Sequence, residues 1–469
     1  MSELEQWVNL DDKADFVGDG IDDVKRIGAI HFKFTFKKAK PSKFRVRLIP
    51  IGAAATYSDD ERNRNEAFRA RVTSSVLNNA GQAESVMDKA VHLPAAGGNK
   101  YKLQAMHKDK VVDSPINVIV KRRLYYQVMA MRGMTAHSTA TMDSAFLNSG
   151  KEIFIKMINK NPGGEIALMG VIDDSKHSQF IRACGKQYGL SKYEPFSFGI
   201  CYVQYIVDPL ETIVKHRLVT NVPSKIGKWS WDGLQAELDV DGYLWHGFDD
   251  AEDLAQSWLI DLYVGFIAVG GTAIEPIPRS ALQVSIVGPK KYTHGGYNKI
   301  AVKIVDGAVK RKFASERQGQ FYFEVKLKTA AGWTNGFAYT DINLIAIANR
   351  VAWEDMNAVT REYTLNHEVG HKVGMVSDGT GRAVEKSPNH YTGQAHQGPH
   401  CSKGAIFSGG YWSGAPRCVM FGANGAYSGV TENAAPATFC PDCEPRVRKL
   451  DLSANFLSQA GFKQSMEKF

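Results

Sequence analysis

His367, Glu368 and His371 occur in the order His-Glu-Val-Gly-His. On a helix, residues four apart lie one turn above one another, so both imidazoles can reach one ion. Tyr363, His367, His371 and Gly374 fall on that face, while Leu365, Val369 and Val373 form a nearly opposite apolar stripe suited to a core. A zinc ion held there lowers the pKa of a bound water to about 7. Glu368, next to the first histidine, points to the side of the ion. From there it can take a proton from that water and pass it to a leaving amine, without being a ligand itself. The chemistry this arrangement could do is hydrolysis of a peptide bond.

A second set of residues lies close by in the chain. Cys401, Cys418 and the pair in Cys440-Pro441-Asp442-Cys443 put four of the six cysteines, with five of the thirteen histidines, between residues 367 and 443. Cysteines in a tight Cys-x-x-Cys turn, with two more nearby, predict a tetrahedral thiolate zinc site rather than two disulfides. The expectation is two zinc ions per chain, one catalytic and one structural. Cys184 and Cys201 lie outside the cluster and read as buried apolar residues.

A catalytic zinc needs a third protein ligand. Gly374, three residues after His371, suits a sharp turn, because glycine accepts a positive φ without penalty. Downstream, the residues alone leave His400, Asp378, His390, His396 and Glu385 as alternatives. Gly379, Gly381 and Pro388 argue against a helix that would present Glu385, and Gly398-Pro399 argues against a helical face shared by His396 and His400.

The run His367-Glu368-x-x-His371-x-x-Gly374, then His400-Cys401, Cys418-Val419-Met420 and Cys440-x-x-Cys443 resembles the archaemetzincin pattern within the metzincin zinc peptidases. The resemblance covers this C-terminal stretch only. It implies His367, His371 and His400 as catalytic zinc ligands and Glu368 as general base. It implies Cys401, Cys418, Cys440 and Cys443 as structural zinc ligands, and Met420 as the Met-turn residue packed beneath the metal. Two departures stand out: 25 residues separate Gly374 from His400 where the family pattern has two, and Cys401 and Cys418 are also further apart than usual. Residues 375–399 therefore read as an inserted loop beside the cleft. Tyr427 and Tyr391 are candidates for an oxyanion or substrate contact.

These residues need elements to position them. The predicted fold class is α+β and multidomain: a polar lead-in over 1–28, a β-sandwich-like domain over 29–132, and a zincin-like, metzincin-like catalytic domain over 133–469. Within the last, the active-site helix is expected over about 352–374 and a cysteine-rich zinc subdomain over 400–445. Phe32, Phe34 and Phe36 alternate with polar residues, as do Phe44, Val46 and Leu48, and the two runs read as paired strands. Met142, Phe146, Ile153 and Met157 have spacings compatible with a helix. Phe198–Val203 and Ile342–Ile347 read as buried strands; Leu282, Val284 and Ile286 alternate, and so do Phe321, Phe323, Val325 and Leu327.

Composition sets outer limits. A chain of 469 residues, 44% hydrophobic and 23% charged, has the make-up of a soluble globular protein of two or three domains. A net charge of +8 over this length is mild, and no nucleic-acid partner is expected. No run reads as a transmembrane segment, and the acidic N-terminus lacks a Sec-type leader. The expectation is a soluble cytoplasmic product, exported, if it acts outside, by a leaderless or specialised secretion route. A peptide or protein is the expected substrate, and the N-terminal β domain would meet a protein partner. Two alternatives stand beside the peptidase: a zinc-stabilised protein with no catalysis, and a cell-wall peptide hydrolase using the same site.

Overall fold

The computed structural model describes residues 3–9, 29–36, 45–52, 71–75, 85–92, 100–148, 150, 152–161, 164–173, 176–190, 198–219, 224–226, 229–231, 235–246, 258–315, 319–339, 342–374, 389–393, 396–422 and 438–444. Most of these residues are β-strand, arranged in several sheets with few helices.

The largest sheet has nine strands. In chain order they are β1 (Glu3–Asn9), β2 (Arg45–Ile51), β3 (Lys100–His107), β4 (Lys110–Met131), β5 (Ile155–Asn161), β6 (Glu165–Ile166), β7 (Phe198–Val203), β8 (Gly336–Ala338) and β9 (Leu344–Ala348). The main path runs β8-β9-β7-β4-β3-β2, and β1, β5 and β6 also pair with β4. β7 lies between β4 and β9 and is parallel to both. Every residue of β7 and β9 is buried. Both faces of these strands are covered, which is why they read as unbroken apolar runs in the sequence.

The described residues include three α-helices, α1 (His177–Leu190), α2 (Gly307–Ser315) and α3 (Ala358–Lys372). Ile200, Tyr202, Ile345 and Ile347 face a core shared with Leu365, Val369 and Val373 of α3. The alternate residues Cys201, Val203, Leu344 and Ala346 face Phe180, Ile181 and Cys184 of α1. The sheet centre is thus sandwiched between α1 and α3, and the period-two alternation decides which residue meets which helix. Cys184 and Cys201 are both buried there, as expected.

A six-stranded sheet includes Tyr205–Val219, Leu259–Ala268 and Gly319–Trp333, and a five-stranded sheet includes Gln235–Asp239, Leu282–Ile286 and Lys299–Ile304. Phe321, Phe323, Val325 and Leu327 of the first share a core with Leu282 and Val284 of the second. The alternation expected for these two segments is therefore realised.

Several expectations are corrected. The alternating runs near residues 32–48 do form strands, but not as a pair. Ala29–Phe36 pairs with Ser85–His92 in a three-stranded sheet, whereas β2 pairs with β3 in the nine-stranded one. Alternation specifies a strand's buried face and leaves its partner open. The described strands of 29–132 are divided between two sheets, and the larger does not end at residue 132 but continues through β7, β8 and β9. Within the polar lead-in, Glu3–Asn9 is a strand parallel to Asn117–Arg123 of β4.

Met142, Phe146, Ile153 and Met157 are all buried in the core beneath α3 but do not lie on one helix. Asp143–Leu147 is a π-helical turn, Gly150, Glu152 and Phe154 have positive φ, and β5 then begins. The helix expected to carry the active site begins at Ala358, later than about 352, because Ala352 and Trp353 have φ of 50° and 59°. Asn357 caps it, its side chain accepting the Thr360 N–H at 2.8 Å. Among the described residues, no helix is long and apolar enough to cross a membrane.

Candidate metal centres

α3 carries the first two histidines, and Gly374 ends the helix region with φ of 73°, as its position predicts. The third histidine arrives on a hairpin of β10 (His390–Gly393) and β11 (His396–Cys401), in which Tyr391 pairs with His400 and His390 with Cys401. Ligand atoms of His367, His371 and His400 all lie within 4.8 Å of one another. The Nε2 atoms of His367 and His371 are 3.1 Å apart. A tetrahedral ion with metal–nitrogen bonds near 2.05 Å would set that separation at about 3.3 Å. The residues present therefore fit a divalent ion.

The supports around this cluster fix the tautomer of His367 and the shape of the site. His367 Nδ1 lies 2.7 Å from the carbonyl oxygen of Val419. A carbonyl can only accept, so Nδ1 carries the proton and Nε2 keeps its lone pair for the cluster. Tyr363 stacks on His367 with ring centroids 6.0 Å apart and donates its hydroxyl proton to the Phe421 carbonyl at 2.6 Å. Met420 is fully buried against α3: a Cβ on Gly370 would come within 2.3 Å of its Sδ. Gly370 is thus the gap between the two histidines into which Met420 fits. His400 relies on a second glycine, since a Cβ on Gly422 would come within 2.1 Å of its Cδ2.

Glu368 is buried on the same helix. Burial pushes its carboxyl up to about 8, against the Ala338 backbone N–H and the Lys372 cation, which both favour the carboxylate. Lys372 is itself buried and donates to the Tyr339 and Ile342 carbonyls, tying the end of α3 to the chain between β8 and β9.

The four cysteines form the second cluster, all buried, with sulfur atoms within 4.8 Å of one another. Cys401 and Cys440 are 3.7 Å apart, and Cys418 and Cys443 are 3.6 Å apart. A disulfide needs about 2.05 Å, whereas four thiolates on an ion with bonds near 2.3 Å stand about 3.8 Å apart. Desolvation raises the Cys418 thiol well above its ordinary value, and thiolates this close repel one another unless a cation stands between them.

Adjacent residues of one strand serve the two clusters. His400 joins the histidines and Cys401 the cysteines, since successive side chains of a strand point to opposite faces. Their hairpin partners divide the same way. Tyr391 stands beside His400 at 5.7 Å between centroids, and His390 Nε2 lies 3.5 Å from Cys443 Sγ. His390 is therefore not a third ligand of the histidine cluster; it stands against the cysteines. The Tyr391 hydroxyl accepts the Gly422 N–H at 3.4 Å, and burial raises its pKa. His396 opens β11 opposite Gly393. Tyr427, Asp378 and Glu385 lie outside the described residues, as does residues 375–388 of the expected inserted loop.

Sequence reasoning missed the Val419 carbonyl, Gly370, Gly422 and His390 as supports. Val419 acts through its backbone and carries no side-chain signal. The glycines could have been suspected only from their places, one between the two histidines and one two residues after Met420.

No family model matches the chain, and no curated protein matches it. Among solved structures, the N-terminal eight Ig domains of Down Syndrome Cell Adhesion Molecule (DSCAM) isoform 1.30.30 align with 84% of this chain and 43% of theirs, at 10% identity and a TM-score of 0.13. The chain thus spans less than half the length of that structure, and a score this low carries no argument about fold or function.

Proposed function

We propose that the protein is a zinc-dependent metalloendopeptidase of metzincin type, closest to the archaemetzincin pattern. The observation that carries the reading is the convergence of His367, His371 and His400, from a helix and a hairpin, with Glu368 on the same helix. Zinc is favoured over other divalent ions by three neutral imidazoles on one site and four thiols on the other.

When bound, zinc would supply a Lewis acid that activates water and polarises a peptide carbonyl. The chain's own residues do the rest. His367, oriented by Val419, and His400, seated on Gly422, hold fixed positions. Burial favours the protonated Glu368, whereas a dication on the three histidines would favour its carboxylate; in that form it takes the proton of the attacking water and returns it to the leaving amine, shielded from bulk solvent. β8 ends the main path of the nine-stranded sheet beside α3, where the Ala338 N–H meets Glu368. An extended peptide laid along that strand would bring a carbonyl to the site. The cysteine cluster has a structural role, holding the segments that carry His400 and Val419.

The test is cleavage of casein or of a mixed peptide library by the zinc-loaded protein and by Glu368→Gln. The reading expects cleavage by the wild type, and its loss, by about a thousandfold or more, in the variant with zinc content unchanged. Wild-type protein with full zinc and no cleavage of any peptide would count against it.

A further inference from the structure

A separate cleft of about 200 Å³ opens near the C-terminal ends of β4, β7 and β9, beside the first turns of α3. His137, Ser138, Tyr202, Ala358, Arg361 and Glu362 line it, and none of them belongs to either metal cluster. The C-terminal edge of parallel strands is a recurrent place for small-molecule sites. A space of this volume holds several waters and suits a small ligand.

Its chemistry is mixed in a specific way. Tyr202, the penultimate residue of β7, is fully buried and its hydroxyl has no hydrogen-bond partner. The charges that act on that hydroxyl, Arg361 and Glu362, are both in the cleft wall. A buried hydroxyl left unpaired calls for an explanation, and an absent ligand is one. Arg361 Nη1 donates to the Met356 carbonyl at 2.7 Å. Ser138 Oγ accepts the Ala140 N–H, which leaves its own proton to donate.

The tautomer of His137 follows from its partner. Asn349 Nδ2 donates to the Thr135 carbonyl, so its Oδ1 is the atom facing His137 Nε2 at 2.7 Å. Nε2 therefore carries the proton and Nδ1 is an acceptor. Burial, and then the Arg361 cation, hold the imidazole below its usual pKa and keep it neutral. The cleft thus offers a cation and two hydroxyls on one hand, and a carboxylate and a neutral imidazole nitrogen on the other.

We propose that this cleft binds a small α-amino carboxylate, such as a free amino acid, with its carboxylate on Arg361, Tyr202 and Ser138 and its ammonium on Glu362 and His137. The proposal stands independently of the peptidase reading.

Isothermal titration of the full-length, metal-loaded protein with L-alanine, propionate and inorganic phosphate tests it. L-alanine is expected to bind saturably, with propionate and phosphate weaker by about tenfold or more, since a hydrogen bond to a charged group is worth that much. Arg361→Met should abolish binding, Tyr202→Phe should weaken it several-fold, and Glu362→Gln should lower L-alanine to the level of propionate. No saturable binding, equal binding of L-alanine and propionate, or tightest binding of phosphate would overturn the proposal. Binding unchanged in all three variants would place the ligand elsewhere, for instance on a metal, and would overturn it too.

Discussion

Gly422 lies directly against the His400 ring, so that a Cβ at position 422 would stand 2.1 Å from Cδ2 and 2.3 Å from Nε2. Contacts that short do not persist, and one of the two residues must move. The atom displaced is a proposed ligand, so Gly422→Ala should weaken metal binding at the histidine cluster by about tenfold or more and leave the cysteine cluster loaded. Competition with a graded series of chelators reads the two affinities. Unchanged affinity at both sites would remove His400 from the ligand set.

Gly370 tests the packing under the same site. Replacing a mid-helix glycine by alanine ordinarily gains about 1 kcal/mol. Here the added carbon would meet Met420 Sδ at 2.3 Å and Phe439 Cε1 at 3.0 Å. Overpacking of a filled core costs about 1–3 kcal/mol, so Gly370→Ala should lower the thermal unfolding midpoint instead of raising it. A raised midpoint would mean that Met420 has room to move and does not brace the helix.

The hairpin predicts an asymmetry between the two clusters. Cys401 follows His400 in the chain, and its N–H donates to the Met420 carbonyl at 2.8 Å, next to the Val419 carbonyl that orients His367. Loosening the cysteines therefore loosens two supports of the histidines. Cys443→Ser should lose the cysteine-bound metal, weaken metal at the histidines and destabilise the fold, because a structural zinc contributes folding free energy outright. His371→Ala should lose only the histidine-bound metal. Metal analysis with thermal unfolding of both variants checks this, and a Cys443→Ser protein that keeps its histidine-site metal at full affinity would contradict it.

The site was more legible in the sequence than the fold around it. Helical spacing placed His367 and His371 together and set Leu365, Val369 and Val373 facing the core, because one short periodic element determines both. Bringing in His400 depended on a resemblance, since 25 intervening residues carry no geometric signal of their own. The strands β7 and β9 could be read from their unbroken apolar runs. Their partners could not: Phe32, Phe34 and Phe36 announce a strand, but whether it meets Arg45–Ile51 or Ser85–His92 depends on contacts distant in the chain. The Met142 to Met157 segment misled for a related reason. Its apolar residues are buried, yet residues with positive φ at 150, 152 and 154 break any helix between them.

The two clusters are proposed to be two zinc sites, one of them the catalytic centre. Metal content measured on the purified protein distinguishes the possibilities. Two zinc ions per chain are expected, falling to one in His367→Ala with the cysteine-bound ion retained and peptide cleavage lost. A wild-type protein that binds one ion or none in the presence of excess zinc, or a His367→Ala protein that still holds two and still cleaves, would contradict it.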